Sequence, residues 1–428
     1  MMVLLVVALL FALLAIGSPV GVAMGVAGIL GLYAHGGTPV LMGILKTSSI
    51  SVLSSYELMS IPMFILMAEF TLLSGIADDL FRTAAAWVGR IRGGLAMATA
   101  LAGAGFAAIC GSSAASAATL SATSLTAMLK QGYEARLAAG VVAISGTLAI
   151  LIPPSIGLVL YGILADVSIG KLLVAGVIPG LIVTVAIMLT VAVLVHMDTA
   201  RAPDSGAVAW RTKIAMLKVI GPMVILFFSV TVVIYAGIAT PTEASALGAF
   251  FSFVICYWRA RPSAKAIGFA VWRAARSSCM IAFIIFGAHL FGYYFTLTQT
   301  TQEIIAWVSS LPVSRWIIIA IILAGYLVLG CFMDQIAILV LTVPIVVPLI
   351  VSLGFDPIWF GIIKIVTAEV GMITPPIGLN CFIVARYADR PVAEVFRGTF
   401  PHFIAHLIVI AIFVAFPSLI LWLPSRMH

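Results

Sequence analysis

The sequence predicts an all-α polytopic membrane protein built as an inverted repeat, with two re-entrant hairpins and two broken helices. Three observations carry this. The 428-residue chain is 63% hydrophobic and 9% charged, where a soluble domain is about a quarter charged, and its mean hydropathy is +1.24. Its basic residues fall in short groups between apolar runs, where they act as topology signals. A shift of 222 residues lays Pro153-Pro154 on Pro375-Pro376, Gly176 on Gly398 and Pro179 on Pro401 without a gap.

A spanning helix needs about 20 mostly apolar residues. The runs that qualify, or nearly so, are 3–16, 19–34, 57–75, 137–165, 168–197, 217–237, 242–258, 277–297, 358–386 and 399–422. The first lacks a basic leader and is followed directly by more apolar sequence, so it reads as a membrane helix rather than a signal peptide. Two further runs, 94–129 and 317–351, are too long for one simple helix and carry small, polar or charged residues near their middle. Five basic groups orient the spans: Arg82/Arg90/Arg92, Lys130/Arg136, Arg201/Arg211/Lys213/Lys218, Arg259/Arg261/Lys265/Arg273/Arg276 and Arg386/Arg390/Arg397. With all five in the cytoplasm, 94–129 must enter and return on the inner side and 317–351 on the outer side. Both termini then lie outside. The net charge of +7 belongs to these loops and does not point to nucleic acid.

Each hairpin precedes a double proline, in ILIPPSIG and GMITPPIG. Proline removes a backbone donor and clashes with the preceding turn. Broken backbone at membrane depth is tolerated only beside protein or water, and transporters use such breaks to present half-helix ends and carbonyls to substrate and ions. The tips of the hairpins are the natural partners of the breaks. The first, ICGSSAASAATLSATS (109–124), is almost entirely Gly, Ala, Ser and Thr. Such residues permit close helix packing, and their hydroxyls and carbonyls are hard oxygen ligands. The second, LGCFMDQIA (329–337), contains Asp334. An acid in an apolar run marks function or caps a half-helix, and the two roles are compatible. Glu369, just before the second break, reads as a ligand or proton site. Lys364 reads as snorkelling, and Glu69 as a tie between two helices. Thr240-Pro241-Thr242-Glu243 has capping-box spacing with Pro at the first helical position.

Five single cysteines, Cys110, Cys256, Cys279, Cys331 and Cys381, read as buried structural thiols. His402 and His406 have i,i+4 spacing without the zincin glutamate. No Walker A motif or nucleophile elbow stands out. The chain therefore reads as a secondary transporter and not an enzyme.

At this point the motifs resemble a known family. IPMFILMAE (61–69), GRIRGGLA (89–96), GSSAASAA (111–118), IPPSIGLVLYG (152–162), AGVIPGL (175–181), TPTEASA (240–246) and GMITPPIGLN (371–380) are similar to the large membrane subunit of tripartite ATP-independent periplasmic (TRAP) transporters, the DctM family, over essentially the whole chain. The resemblance implies a sodium-coupled, elevator-type importer of organic anions, carboxylates or sulfonates, in a bacterial inner membrane. Its partners would be a small DctQ-like membrane subunit and a DctP-like periplasmic binding protein.

It also implies four units. Scaffold helices would occupy 1–93, repeat 1 of the transport domain 94–197, central scaffold or arm helices 198–297, and repeat 2 298–428. By matching motif, one sodium site draws on Ser112, Ser113, Ser145, Gly146 and Pro153. The other draws on Gly330, Asp334, Gly371, Thr374, Pro375 and Gly378. Substrate would lie near Ser116, Ser155 and Asn380. The chain departs from the family pattern in having Gln335 after Asp334, and Ser116 where Asp or Thr is common. A stand-alone symporter of the same superfold and a passive channel stay open as alternatives. The first would need no binding protein, and the second would conduct without sodium.

Overall fold

A computed structural model describes residues 2–203 and 209–427, apart from the side chain of Leu53. Among the described residues there are helices and turns and no strand. Among the described residues, seven helices are long and apolar enough to cross a membrane, or nine if two sharply bent pairs each count as one span.

The N-terminal unit contains α1 (Met2–Ala15), α2 (Val20–Leu53), α3 (Ser60–Leu73) and α4 (Ile76–Val88). The sequence marks a stop near residue 34, but α2 runs on to Leu53. Its backbone departs from helical angles at Gly37, where φ is 68°, and resumes through Pro39, so glycine's freedom absorbs the irregularity. The α3–α4 pair bends by 68° at Gly75, which is left-handed. The amphipathic α4, with Asp78 and Asp79 in its first turn, is too polar to show in hydropathy.

The first repeat opens with α5 (Gly94–Cys110), α6 (Ser113–Leu120), a π turn over Ser121–Leu125, and α7 (Thr126–Lys130). These form an antiparallel hairpin. The Thr99 hydroxyl approaches Met128 Sδ, and Leu95 N–H donates to Tyr133 Oη. Then follow α8 (Ala135–Leu151), a break, and α9 (Ile156–Ala165), bent by 44°, with α10 (Ile169–Ala175) and α11 (Val177–Met197) after it.

The central helices are α12 (Trp210–Tyr235), α13 (Pro241–Ala260) and α14 (Ala264–Leu297). The capping box before α13 is formed: Glu243 N–H donates to Thr240 Oγ1 at 3.2 Å, and Thr240 N–H to Glu243 Oε2 at 2.7 Å. α14 begins thirteen residues before the 277–297 span, because a helix carrying Lys265, Arg273 and Arg276 reads as a loop in a hydropathy scan. It lies along α2 with glycines at the contact. A Cβ on Gly28 would lie 2.8 Å from the backbone of Leu290.

The second repeat follows α15 (Thr300–Ser310). Its hairpin is α16 (Arg315–Phe332) and α17 (Gln335–Ser352), joined across the middle by a Tyr326 Oη–H donation to Thr342 Oγ1. Next come α18 (Pro357–Gly371), a break, α19 (Leu379–Ala388), α20 (Val392–Ala415) and the short α21 (Ser418–Leu421). The 222-residue shift also relates features beyond the Gly and Pro matches. Ser112 and Asp334 both N-cap the second arm of a hairpin, and Glu134 and Asp356 both stand at the N-cap of a broken helix. The Pro153–Pro154 and Pro375–Pro376 peptide bonds are both cis.

Every residue over 137–151 and 359–371 is buried. A helix apolar all round sits in a core, and α8 and α18 are the two cores of the repeats. Their neighbours approach backbone to backbone. A Cβ on Gly140 would fall 2.3 Å from the Gly398 carbonyl oxygen, and one on Gly371 would fall 2.6 Å from Gly330 Cα. Small residues are what permit helices this close.

Four of the five cysteines are buried, and Cys279 on α14 is exposed, contrary to the sequence reading. Lys364 does not snorkel either. It is fully buried, with Nζ 5.1 Å from the Tyr326 ring centre, a cation–π contact that a linear sequence does not reveal.

Candidate functional site

Each hairpin turns through a residue whose side chain caps the returning helix. Ser112 is extended, and its Oγ accepts from Ala115 N–H at 3.5 Å. Asp334 is extended too, and its Oδ1 accepts from Ile336 N–H at 2.6 Å and Ala337 N–H at 3.4 Å. A carboxylate has two oxygens, so Oδ1 serves the cap and Oδ2 remains for another partner.

Each tip leans on the break of its own repeat. A Cβ on Gly111 would meet Ile156 N at 3.3 Å, so the first tip touches the start of α9. Gly378 N–H donates to the Cys331 carbonyl at 3.4 Å, so the second break is tied to the end of α16. Gly378 is left-handed, with φ 51° and Phe396 pressed against its α-carbon. A side chain there meets both strain and a clash.

The two tips face one cavity of about 340 Å³. From the repeats, Ser112, Ser113, Asp334 and Gln335 line it, with Met372 and Leu379 from the second break; α3 and α14 close the opposite side. Three predicted ligands, Ser112, Ser113 and Asp334, thus share one space although 221 positions separate Ser113 from Asp334.

The other predicted residues stand behind this wall. Ser145 is buried with no partner for Oγ, level with Gly103 of α5, and Gly146 lies against Ala117 of α6. Pro153 faces α10 and α12, beside Leu173, Val230 and Ile234. Gly330 and Gly371 form the α16–α18 contact. Thr374 Oγ1 donates to the Val370 carbonyl at 2.7 Å, and Pro375 is exposed at the break.

Ser116 is fully buried, and its Oγ has no partner. Ser155 caps α9, accepting from Leu158 N–H at 3.3 Å while donating to the Ile150 carbonyl. Asn380 Nδ2 donates to the Ala143 carbonyl at 3.4 Å, and its Oδ1 has no partner. Asn380 therefore links the two repeats, α19 to α8.

One cavity group had no role assigned from the sequence, and another, Glu69, ties α3 to α14 as the sequence reading has it. Gln335 is 2% exposed, and both amide heavy atoms lack a partner. Its place directly after Asp334 was the only signal for it. Glu69 pairs with Arg273 at 2.6 Å, a partner that no local pattern indicates.

His402 and His406 are buried on α20, and His406 Nδ1 lies 2.8 Å from the His402 carbonyl. Among the described residues no group of three or more His, Cys, Asp or Glu is arranged to hold a metal ion.

The family profile described as "Tripartite ATP-independent periplasmic transporter, DctM component" matches residues 7–419. The C4-dicarboxylate TRAP transporter large permease protein DctM of Pseudomonas aeruginosa is 35% identical over 86% of this chain and 86% of its own length. The isethionate TRAP transporter permease protein DctMQ of Oleidesulfovibrio alaskensis is 31% identical over 95% of this chain, which spans 64% of that protein. The ectoine TRAP transporter large permease protein TeaC of Halomonas elongata is 28% identical, covering 98% of each chain. Among solved structures, the YdaH transporter of Alcanivorax borkumensis has the same fold, with a TM-score of 0.63 at 14% identity over 89% of each chain.

Proposed function

This chain belongs to the DctM component family of tripartite ATP-independent periplasmic transporters, and on that premise we propose that it imports a small organic anion, driven by sodium and by an elevator movement of the two repeats. The carrying observation is the shared cavity, where Ser112 and Ser113 face Asp334 and the N-termini of α6 and α17 converge. Helix N-termini carry partial positive charge, which offsets the charge of a carboxylate or sulfonate away from water. Sodium adds more, and hydroxyls, carbonyls and the free Asp334 oxygen are the hard oxygen donors it takes. Inward movement of each sodium charge supplies about 2.3 kcal/mol per 100 mV.

The substrate is an acid of the kind named for the relatives, carboxylate or sulfonate, delivered by a periplasmic binding protein. A small membrane subunit covers the scaffold helices α1–α4. The basic loops support an inner-membrane location with the hairpins opening to opposite faces.

The complex reconstituted in proteoliposomes should take up an organic anion when sodium is outside and stop when potassium replaces it. Uptake without the binding protein would favour a stand-alone symporter. Sodium-independent flux would sink the coupling.

A further inference from the structure

At the outer tip Asp334, Gln335 and Ile336 all line the shared cavity. Gln335 is the first residue of α17 and is 2% exposed. A buried amide that serves the fold is hydrogen-bonded to it, as Asn380 Nδ2 is to the Ala143 carbonyl. Gln335 makes no such bond. Among the described residues, neither its Oε1 nor its Nε2 finds a partner. Much of the opposite wall is apolar, at Ile65, Leu72, Met280 and Ile281, and the Glu69 carboxylate there is already paired with Arg273.

Leaving a buried donor and acceptor unmade is costly. A ligand recovers that cost in full only by matching both halves of the amide, since Nε2 donates and Oε1 accepts. An ionised carboxylate or sulfonate satisfies Nε2 alone, because it has no proton to give. A hydroxyl satisfies both, accepting at its oxygen and donating its proton. The acid's charge has its own counterparts, the converging N-termini of α6 and α17, which carry partial positive charge. The amide is therefore left for an uncharged part of the same molecule.

We propose that Gln335 is a specificity residue that receives a hydroxyl group borne by the transported acid, so that the permease favours a hydroxylated carboxylate or sulfonate over its deoxy analogue. This rests on the organic-anion import reading and adds to it a second chemical feature of the substrate. Asp334 and Gln335, adjacent in the chain, then divide the work: the carboxylate serves the cap and the ion, and the amide reads the hydroxyl.

The test uses the complete complex in proteoliposomes and two probe pairs that differ by one hydroxyl, malate with succinate and isethionate with ethanesulfonate. The quantity read is the ratio of kcat/KM for the hydroxylated member to that for its deoxy partner. The binding protein is the same in every assay, so a change in the ratio belongs to the permease. Gln335→Met fills nearly the same space without the amide, and in it the ratio should fall about tenfold from the wild-type value. A merely structural role would lower both members together and leave the ratio unmoved, which overturns the proposal. Size-exclusion profiles confirm folding. If Gln335→Met does not fold, Gln335→Asn decides: it keeps the amide but draws it back by one methylene, and the ratio should fall about threefold or more. An unmoved ratio with a raised sodium requirement would make Gln335 an ion ligand and would also overturn the proposal. Sodium-driven uptake of none of the four probes overturns the import reading itself, and this inference with it.

Discussion

Asp334→Ala is expected to weaken the sodium stimulation of uptake strongly while leaving a folded protein. Two roles are lost at once. The cap on α17, made by Oδ1 to Ile336 and Ala337 N–H, is worth about 0.5–2 kcal/mol, too little to unfold a chain with cores of this size. The other loss is a charged oxygen at the cavity. A hydrogen bond or ligand contact to a charged group contributes about 1.5–3 kcal/mol, so the sodium concentration for half-maximal uptake should rise about tenfold or more. Asp334→Asn separates the roles, since the amide oxygen still caps while the charge is gone. Asparagine should restore thermal stability in detergent and not restore sodium dependence. If it restores both, Asp334 is a cap and nothing else.

Gly371→Val is expected to be strongly destabilising. Its Cβ would stand 2.6 Å from both Gly330 Cα and the Leu327 carbonyl oxygen. The obstacle is backbone and cannot swing aside as a side chain would. Overpacking in a close-packed core costs about 1–3 kcal/mol, occasionally more, and a backbone obstacle belongs at the upper end. The separation of α16 from α18 would also pull the second tip away from its break. The control is Gly325→Ala on the same α16, where an added Cβ meets nothing within 4 Å. That variant should be neutral or slightly stabilising, by about 0.5–1 kcal/mol. Melting of the purified protein in detergent reads both, and equal behaviour of the two variants would refute the contact argument.

Several parts of this architecture were legible because they rest on strong local chemistry. Two double prolines cannot sit in a continuous helix, and the basic groups mark loops. Thr240 with Glu243 is a cap that depends only on neighbours. The helices that escaped notice are those hydropathy cannot see. α4 and α15 carry Asp78, Asp79 and Glu303 in their first turns, and the first third of α14 carries three basic residues. Gly37 and Pro39 looked like an end to α2, yet one left-handed glycine lets the helix resume.

At the site, the tip residues were readable from composition and from Asp334. Depth was not. Ser116, Ser155 and Asn380 are all fully buried behind the cavity wall, because which face of a small-residue helix turns inward depends on where glycines let a neighbour approach. The Glu69–Arg273 pair spans 204 positions, so only the fold could pair them.

The complete burial of α8 from residue 137 and of α18 from residue 359 has a practical consequence. Over these stretches the medium around α8 and α18 is protein on every side. Exchanging a bilayer for a micelle changes what touches α2, α11 or α14, which expose Leu30, Leu189 and Phe283. It leaves the neighbours of Ile144 or Val366 as they were. Purification therefore puts at risk how the units sit against one another, while the buried stretches of α8 and α18 keep their own surroundings.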